Sequence, residues 1–163
     1  MTSVLTELFE DWHRVGGAVL LASRPQEGEL PEAELLAARS TAHCRESSRL
    51  MWVVLGWLEE NVDRVDSDLL MRATADVGDL SVLGLIADMA NERRDHPILQ
   101  RIMAACKPNP GLEIFFHRVA RSATAARLTE ARTNDIYRRW NYLGWEIEHI
   151  GRPDKAPLDT VPA

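Results

Sequence analysis

Features that would narrow the function of this 163-residue chain are scarce. Cysteine occurs twice, as Cys44 and Cys106, far apart and with no CxxC pair, so we expect two reduced core residues and no disulfide framework. No apolar run approaches the roughly 20 residues that a membrane span needs, and the first residues lack the basic segment of a signal peptide. These absences predict a cytoplasmic protein without a membrane contact.

Catalytic signatures are missing as well. Neither the glycine-rich Gly-Lys-Ser/Thr loop of nucleotide-binding proteins nor the GxSxG motif of serine hydrolases occurs. The nearest approach to a metal site is Glu113 with His117, and two ligands without an HExxH motif do not make one. A pocket lined by His43, Glu113 and His117 would instead point to an enzyme. We therefore expect no enzymatic activity, no cofactor and no metal ion.

The net charge of −6 is unevenly distributed along the chain. Residues 1–92 carry 17 acidic and 7 basic side chains, a net charge of −10, whereas residues 93–163 carry 8 acidic and 12 basic ones, a net charge of +4. One interpretation is an ordinary solvated surface. The other is a bipolar surface that steers a charged partner or associates head to tail with a second copy of the chain.

Apolar residues recur at helical spacing almost everywhere, and strand signals are almost absent. The pattern predicts an all-α fold, a compact array of about six to eight helices built from helical hairpins, with no sheet. It predicts one domain over residues 1–150 and a proline-containing tail over 151–163. The expected helices cover residues 2–21, 32–44, 49–62, 67–77, 81–92, 96–106, 112–132 and 135–150, with Ser67 and Ser81 as caps and 49–62 as the central buried helix.

The expected last helix, 135–150, is apolar on two opposite faces. One stripe contains Ile136, Trp140, Leu143, Ile147 and Ile150. Opposite that stripe lies Trp145, flanked by Arg138, Tyr142 and His149. Two interpretations are open, because this second face is either covered by the rest of the chain or offered to a partner.

Aromatic side chains beside arginine are typical of protein interfaces. We therefore expect a non-enzymatic protein-binding module of bacterial type, an adaptor, regulator or antitoxin-like neutraliser. Its partner would bind Arg138, Tyr142, Trp145 and His149 on the last helix and contact the tail.

The alternative is a nucleic-acid-binding regulator that uses the arginine-rich C-terminal half. The candidate phosphate contacts, together with Arg138, are Arg118, Arg121, Arg127, Arg132 and Arg139. Three nearby acids, Glu113, Glu130 and Asp135, dilute this positive charge. A steep dependence of binding on salt would distinguish this alternative from an aromatic protein interface.

Overall fold

The computed structural model describes residues 3–16, 32–116 and 122–144, and these residues form a mostly helical fold. In chain order the elements are α1 (Ser3–Arg14), α2 (Ala33–Thr41), a 3-10 turn (Cys44–Glu46), α3 (Ser48–Asn61), α4 (Ser67–Val77), α5 (Leu80–Arg93), α6 (Pro97–Ala105), β1 (Glu113–Ile114), α7 (Ala123–Arg132), α8 (Asp135–Arg139) and β2 (Tyr142–Leu143). The eight α-helices in these ranges agree with the six to eight that the sequence predicts.

Polar side chains placed just before the helices determine where several of them begin. Ser47 accepts a hydrogen bond from an amide in the first turn of α3, and Asp66 does the same for α4. Asp79 accepts from two amides at the start of α5. The predicted caps Ser67 and Ser81 therefore lie one and two residues inside their helices.

Helix α5 forms the centre of the fold. All ten residues from Ser81 to Ala90 are buried, because α2, α3, α4, α6 and α8 all pack around this helix. Helix α3 is buried over Leu50–Leu55 and at Leu58, but its Gly56 and Trp57 are only partly buried. The apolar pattern of residues 49–62 predicted α3 as the central buried helix, whereas the structure gives that position to α5.

Helices α2 and α4 pack on this centre, and α1 packs on α2. The apolar face of α1 is buried, and Trp12 donates from its indole nitrogen to Ser40 Oγ on α2 at 2.9 Å. At one end of the α2–α4 pair, the Asp66 amide donates to Glu34 Oε2 at 3.0 Å. At the other end, the Asp79 amide donates to Thr41 Oγ1 at 2.9 Å. Since the starts of α2 and α4 meet, and so do their ends, the two helices run parallel.

The expectation of no sheet is wrong, because the structure contains a small two-stranded sheet. Strands β1 and β2 pair in parallel, with Glu113 opposite Tyr142 and Ile114 opposite Leu143. The predicted helix 112–132 is therefore wrong over its first residues, and its described helical part begins at Ala123.

The predicted helix over 135–150 is also wrong, because α8 ends at Arg139. Asn141 has a φ of 61°, in the left-handed region where asparagine is tolerated better than most residues. This turn directs Tyr142 and Leu143 into the sheet. In the same way α1 ends at Arg14, short of the predicted residue 21, and Gly16 follows with a φ of 89°.

Both cysteines lie buried, and within the described residues they are free thiols. Burial raises the pKa of both thiols, that of Cys106 to about 12. The expectation of reduced core cysteines agrees with this arrangement. In the part of the chain that the structure describes, no helix combines the length and the apolar character needed to cross a membrane.

Substitution of two helical glycines by alanine should change the free energy of unfolding in opposite directions. A Cβ on Gly84 of α5 would overlap the Trp140 ring, whereas a Cβ on Gly56 of α3 would meet nothing within 4 Å. We expect Gly84→Ala to lower the free energy of unfolding by about 1 to 3 kcal/mol, the usual effect of overpacking. Gly56→Ala should raise it by about 0.5 to 1 kcal/mol through helix propensity. Urea denaturation measures both, and a Gly84→Ala protein as stable as the parent would contradict the packing of Trp140.

Candidate interaction surface

One buried carboxylate fastens α8 to the central helix. Asp88 lies in the apolar helix α5, and only 4% of its side chain is exposed. Its Oδ2 accepts hydrogen bonds from Arg139 Nε at 2.8 Å and Trp140 Nε1 at 2.9 Å, and its Oδ1 accepts from Arg139 Nη2 at 2.8 Å. We call these three residues the Asp88 clasp. The charge-assisted hydrogen bonds of the clasp compensate the negative charge of Asp88, which water hardly reaches.

A second polar network joins β2 to the start of α5. The Tyr142 hydroxyl lies 2.6 Å from Ser81 Oγ, and Ser81 Oγ donates to Asp79 Oδ1 at 2.6 Å. Because the serine hydroxyl has one proton and gives it to Asp79, Tyr142 donates to Ser81. Tyr142 is fully buried, and this burial raises the pKa of its phenol.

Arg45 contacts both strands of the small sheet. Its Nη2 donates to the Ile114 carbonyl at 2.7 Å, and its Nε donates to the Phe115 carbonyl at 3.1 Å. Its guanidinium carbon lies 5.0 Å from the centre of the Tyr142 ring and 5.9 Å from that of Phe115. These contacts tie β1 and the residue after it to the 3-10 turn that carries Arg45.

Helix α7 is tied to β2 at its C-terminal end and exposed along most of its length. Thr133 Oγ1 donates to the Thr129 carbonyl at 2.7 Å and accepts from the Gly144 amide at 3.0 Å. In the part of the chain that the structure describes, Thr129 is the one buried residue of α7. Arg127 is exposed, and its neighbour Leu128 is 48% exposed. The anchored segment therefore presents an apolar side chain beside a positive one.

Of the four residues predicted to bind a protein partner, the structure describes two. Arg138 is exposed on α8, and its Nη2 lies 3.4 Å from the Glu130 carbonyl. Tyr142 lies in the core, so it does not share an exposed helical face with Arg138 as the sequence analysis expected. Trp145 and His149 lie outside the described residues. Partner binding by this set stays a prediction.

The arginines proposed to contact nucleic acid are in different environments. Arg127 and Arg132 are exposed on α7. Arg139 is 49% exposed but is bound to Asp88 in the clasp. Arg118 and Arg121 lie outside the described residues.

The residues considered for catalysis do not form a site in the described ranges. His43 Nδ1 lies 3.0 Å from Glu46 Oε2, and Glu113 accepts from Asn109 Nδ2 at the edge of β1. His117 lies outside the described residues. Among the residues that were placed, no group of three histidine, cysteine or acidic side chains could hold a metal ion. A groove of about 230 Å³ on α1 is lined by other residues, namely Glu7, Glu10, Asp11 and Arg14.

The roles of Asp88 and Arg45 in this part of the fold were not predicted from the sequence. Asp88 was a detectable signal, because it is a charged residue within the apolar run LSVLGLIADMA, and buried charges need partners. Arg45 gave no comparable signal, since its contacts with Ile114 and Phe115 are about seventy residues away along the chain.

No protein-family model matches this chain, and neither a curated protein nor a solved structure matches it. Inference about function therefore rests on the chain's own residues.

Removal of Arg139 tests the clasp. In Arg139→Met the buried carboxylate of Asp88 keeps only Trp140 as a partner. In Asp88→Asn the guanidinium of Arg139 loses its partner, but it is half exposed and water can solvate it. We expect Arg139→Met to lower the free energy of unfolding by about 3 kcal/mol, the lower part of the range for breaking a buried ion pair. The loss in Asp88→Asn should be smaller. Urea denaturation of the three proteins measures these differences, and a larger loss in Asp88→Asn would contradict this account.

The buried phenol of Tyr142 predicts a loss of stability in alkali. Its pKa in the folded protein is raised above 10.0, so its contribution to stability is complete below pH 10 and disappears as the pH rises through the folded-state pKa. We expect unfolding free energy to fall more steeply above pH 10 in the parent than in Tyr142→Phe. Urea denaturation at a series of pH values measures this, and the difference between the parent and Tyr142→Phe separates the titration of Tyr142 from that of the other groups that lose protons in alkali. Identical slopes would show that Tyr142 does not titrate in a buried site.

Proposed function

We propose that this chain is a non-enzymatic protein-binding module whose partner docks on the outward faces of α7 and α8 and on the segment that follows them. The supporting observation is the exposure of α7, a ten-residue helix with one buried residue in the described part. Leu128 and Arg127 at its centre, and Arg138 on α8, would supply apolar and charged contacts.

The length of α7 favours an interaction on this surface. An isolated helix shorter than about 12 to 15 residues is marginally stable in water. The described contacts of α7 are mainly at its ends, where Ser122 Oγ accepts from the Ala125 amide at 3.0 Å and Thr133 bonds to Gly144. A partner packed on the outward face would add burial that such a short helix needs.

The way in which the surface is anchored also favours binding. Thr133 connects α7 to the end of β2, β2 is held by Tyr142 and Arg45, and α8 is held by the Asp88 clasp. The base that carries α7 is fixed in this way, so the loss of conformational freedom when a partner binds is confined to α7 itself, and preorganisation of the base increases affinity.

The biological role that we propose is that of a cytoplasmic adaptor, regulator or antitoxin-like neutraliser. In each of these roles a small protein acts by binding to a partner's surface and catalyses no reaction. Trp145 and His149, which follow β2 in the sequence, would extend the surface beyond the described residues.

Nucleic acid is the second candidate partner, because Arg127, Arg132 and Arg138 are all exposed on α7 and α8. Phosphate contacts of this kind would make binding fall steeply with salt. The exposed acids Glu130 and Asp135 on the same two helices weaken this candidate, and a phosphate at Arg139 would have to compete with Asp88. We therefore prefer a protein partner.

Site-specific crosslinking in the native host tests this proposal. Leu128 and Val77 are matched positions, 48% and 49% exposed on different helices, so a photoreactive amino acid is placed at each in turn. We expect a discrete crosslinked protein from position 128 and none from position 77. Leu128→Asp should abolish co-purification of that protein at high salt, whereas Val77→Asp should retain it.

Other crosslinking and binding results would argue against a protein partner docked on α7. A crosslink to nucleic acid that disappears with salt would favour the second candidate. Equal crosslinking from positions 77 and 128, or full binding by a folded Leu128→Asp protein, would contradict docking on α7.

A further inference from the structure

The ring and the amide of His96 make three hydrogen bonds where α5 ends and α6 begins, besides the one that its carbonyl accepts from the Gln100 amide. Its ring Nδ1 accepts from the Ile98 amide at 3.1 Å, so the side chain is the N-cap of α6. Its ring Nε2 lies 2.9 Å from Asp63 Oδ1, in the turn that follows α3. Its own amide donates to Asn91 Oδ1 at 3.0 Å. The imidazole therefore connects the end of α3 to the first turn of α6.

The cap requires one protonation state of this ring. A nitrogen that accepts from an amide carries no proton, so Nδ1 is bare and the single proton of the neutral ring is on Nε2, from which it is donated to Asp63. A second proton would occupy Nδ1. Both nitrogens of the cation are donors, so the Ile98 amide would then lose its acceptor.

Three charged groups lie near the His96 ring, namely Asp63, Arg94 and Asp95. Asp63 attracts it, whereas Arg94 opposes it, since Arg94 Nη2 also binds Asp63, at 3.2 Å. The adjacent Asp95 is exposed, and its carboxylate accepts from Gln100 at 2.5 Å. Hydrogen bonds from His96 and Arg94 hold the pKa of the Asp63 carboxyl below its ordinary value, so Asp63 stays ionised where histidines titrate. The His96 side chain is 17% exposed, which lets a proton reach it.

We propose that His96 is a pH-sensitive switch at the junction of α3 and α6. Its neutral ring caps α6 and bonds to Asp63. Its protonated ring keeps the bond to Asp63 as an ion pair and releases the Ile98 amide, which loosens the first turn of α6.

Nuclear magnetic resonance of the intact chain tests this switch. Long-range nitrogen–proton correlation at pH 8 should show His96 with its proton on Nε2. As the ring takes up its second proton on acidification from pH 8, the protection factor of the Ile98 amide should fall about fivefold, the factor expected for loss of an N-cap. The Leu50 amide, capped by Ser47 Oγ at 3.2 Å, is an internal control that should not change.

Two variants separate capping from charge. His96→Asn retains an oxygen that can cap α6 and removes the titration, so the protection of Ile98 should not change on acidification from pH 8. Asp63→Asn retains an acceptor for Nε2 but removes the negative charge, so the loss of protection should shift to lower pH. A proton on Nδ1 at pH 8, or pH-independent protection of Ile98 in the parent, would overturn the proposal.

Discussion

The C-terminal part of the described fold depends on the charge of Asp88 in the middle of the most buried helix. A carboxylate in that position is tolerated only with strong partners. Arg139 and Trp140 supply three hydrogen bonds between them, and they are consecutive residues at the end of α8. The requirement to satisfy one acid therefore determines where α8 lies. Because Arg139 stays half in water, the neutralising charge comes from a group that is only partly desolvated.

The remaining contacts of this segment follow from the same placement. Once Trp140 lies against Gly84, the left-handed turn at Asn141 directs Tyr142 towards Ser81 and sets β2 beside β1. Polar contacts give α8 and β2 a defined position, and α7 is attached to them through Thr133. A mostly exposed helix is thereby held on a fixed base, and the proposed docking surface depends on this arrangement.

Local patterns in the sequence predicted the helices well and the C-terminal segment poorly. Amphipathic spacing and polar caps are local, so α1 to α6 were recognised with shifts of a few residues at their ends, the largest at α1. Pairing of Glu113 with Tyr142, or of Asp88 with Arg139, joins residues far apart in the sequence. The periodicity of 135–150 suggested one helix, because an apolar residue every three or four positions suits a helix and does not reveal the turn at Asn141. Reading Tyr142 as exposed was a consequence of that error.

The most direct test of this account is native-state hydrogen exchange at the small sheet. The Phe115 amide donates to the Leu143 carbonyl at 3.0 Å, and its exchange reports whether β2 separates from β1. If the Asp88 clasp makes the C-terminal segment part of the core, Phe115 should exchange only through global unfolding, with the same opening free energy as the slowest amides of α5. Exchange of Phe115 through a local opening, while α5 stays protected, would contradict the account.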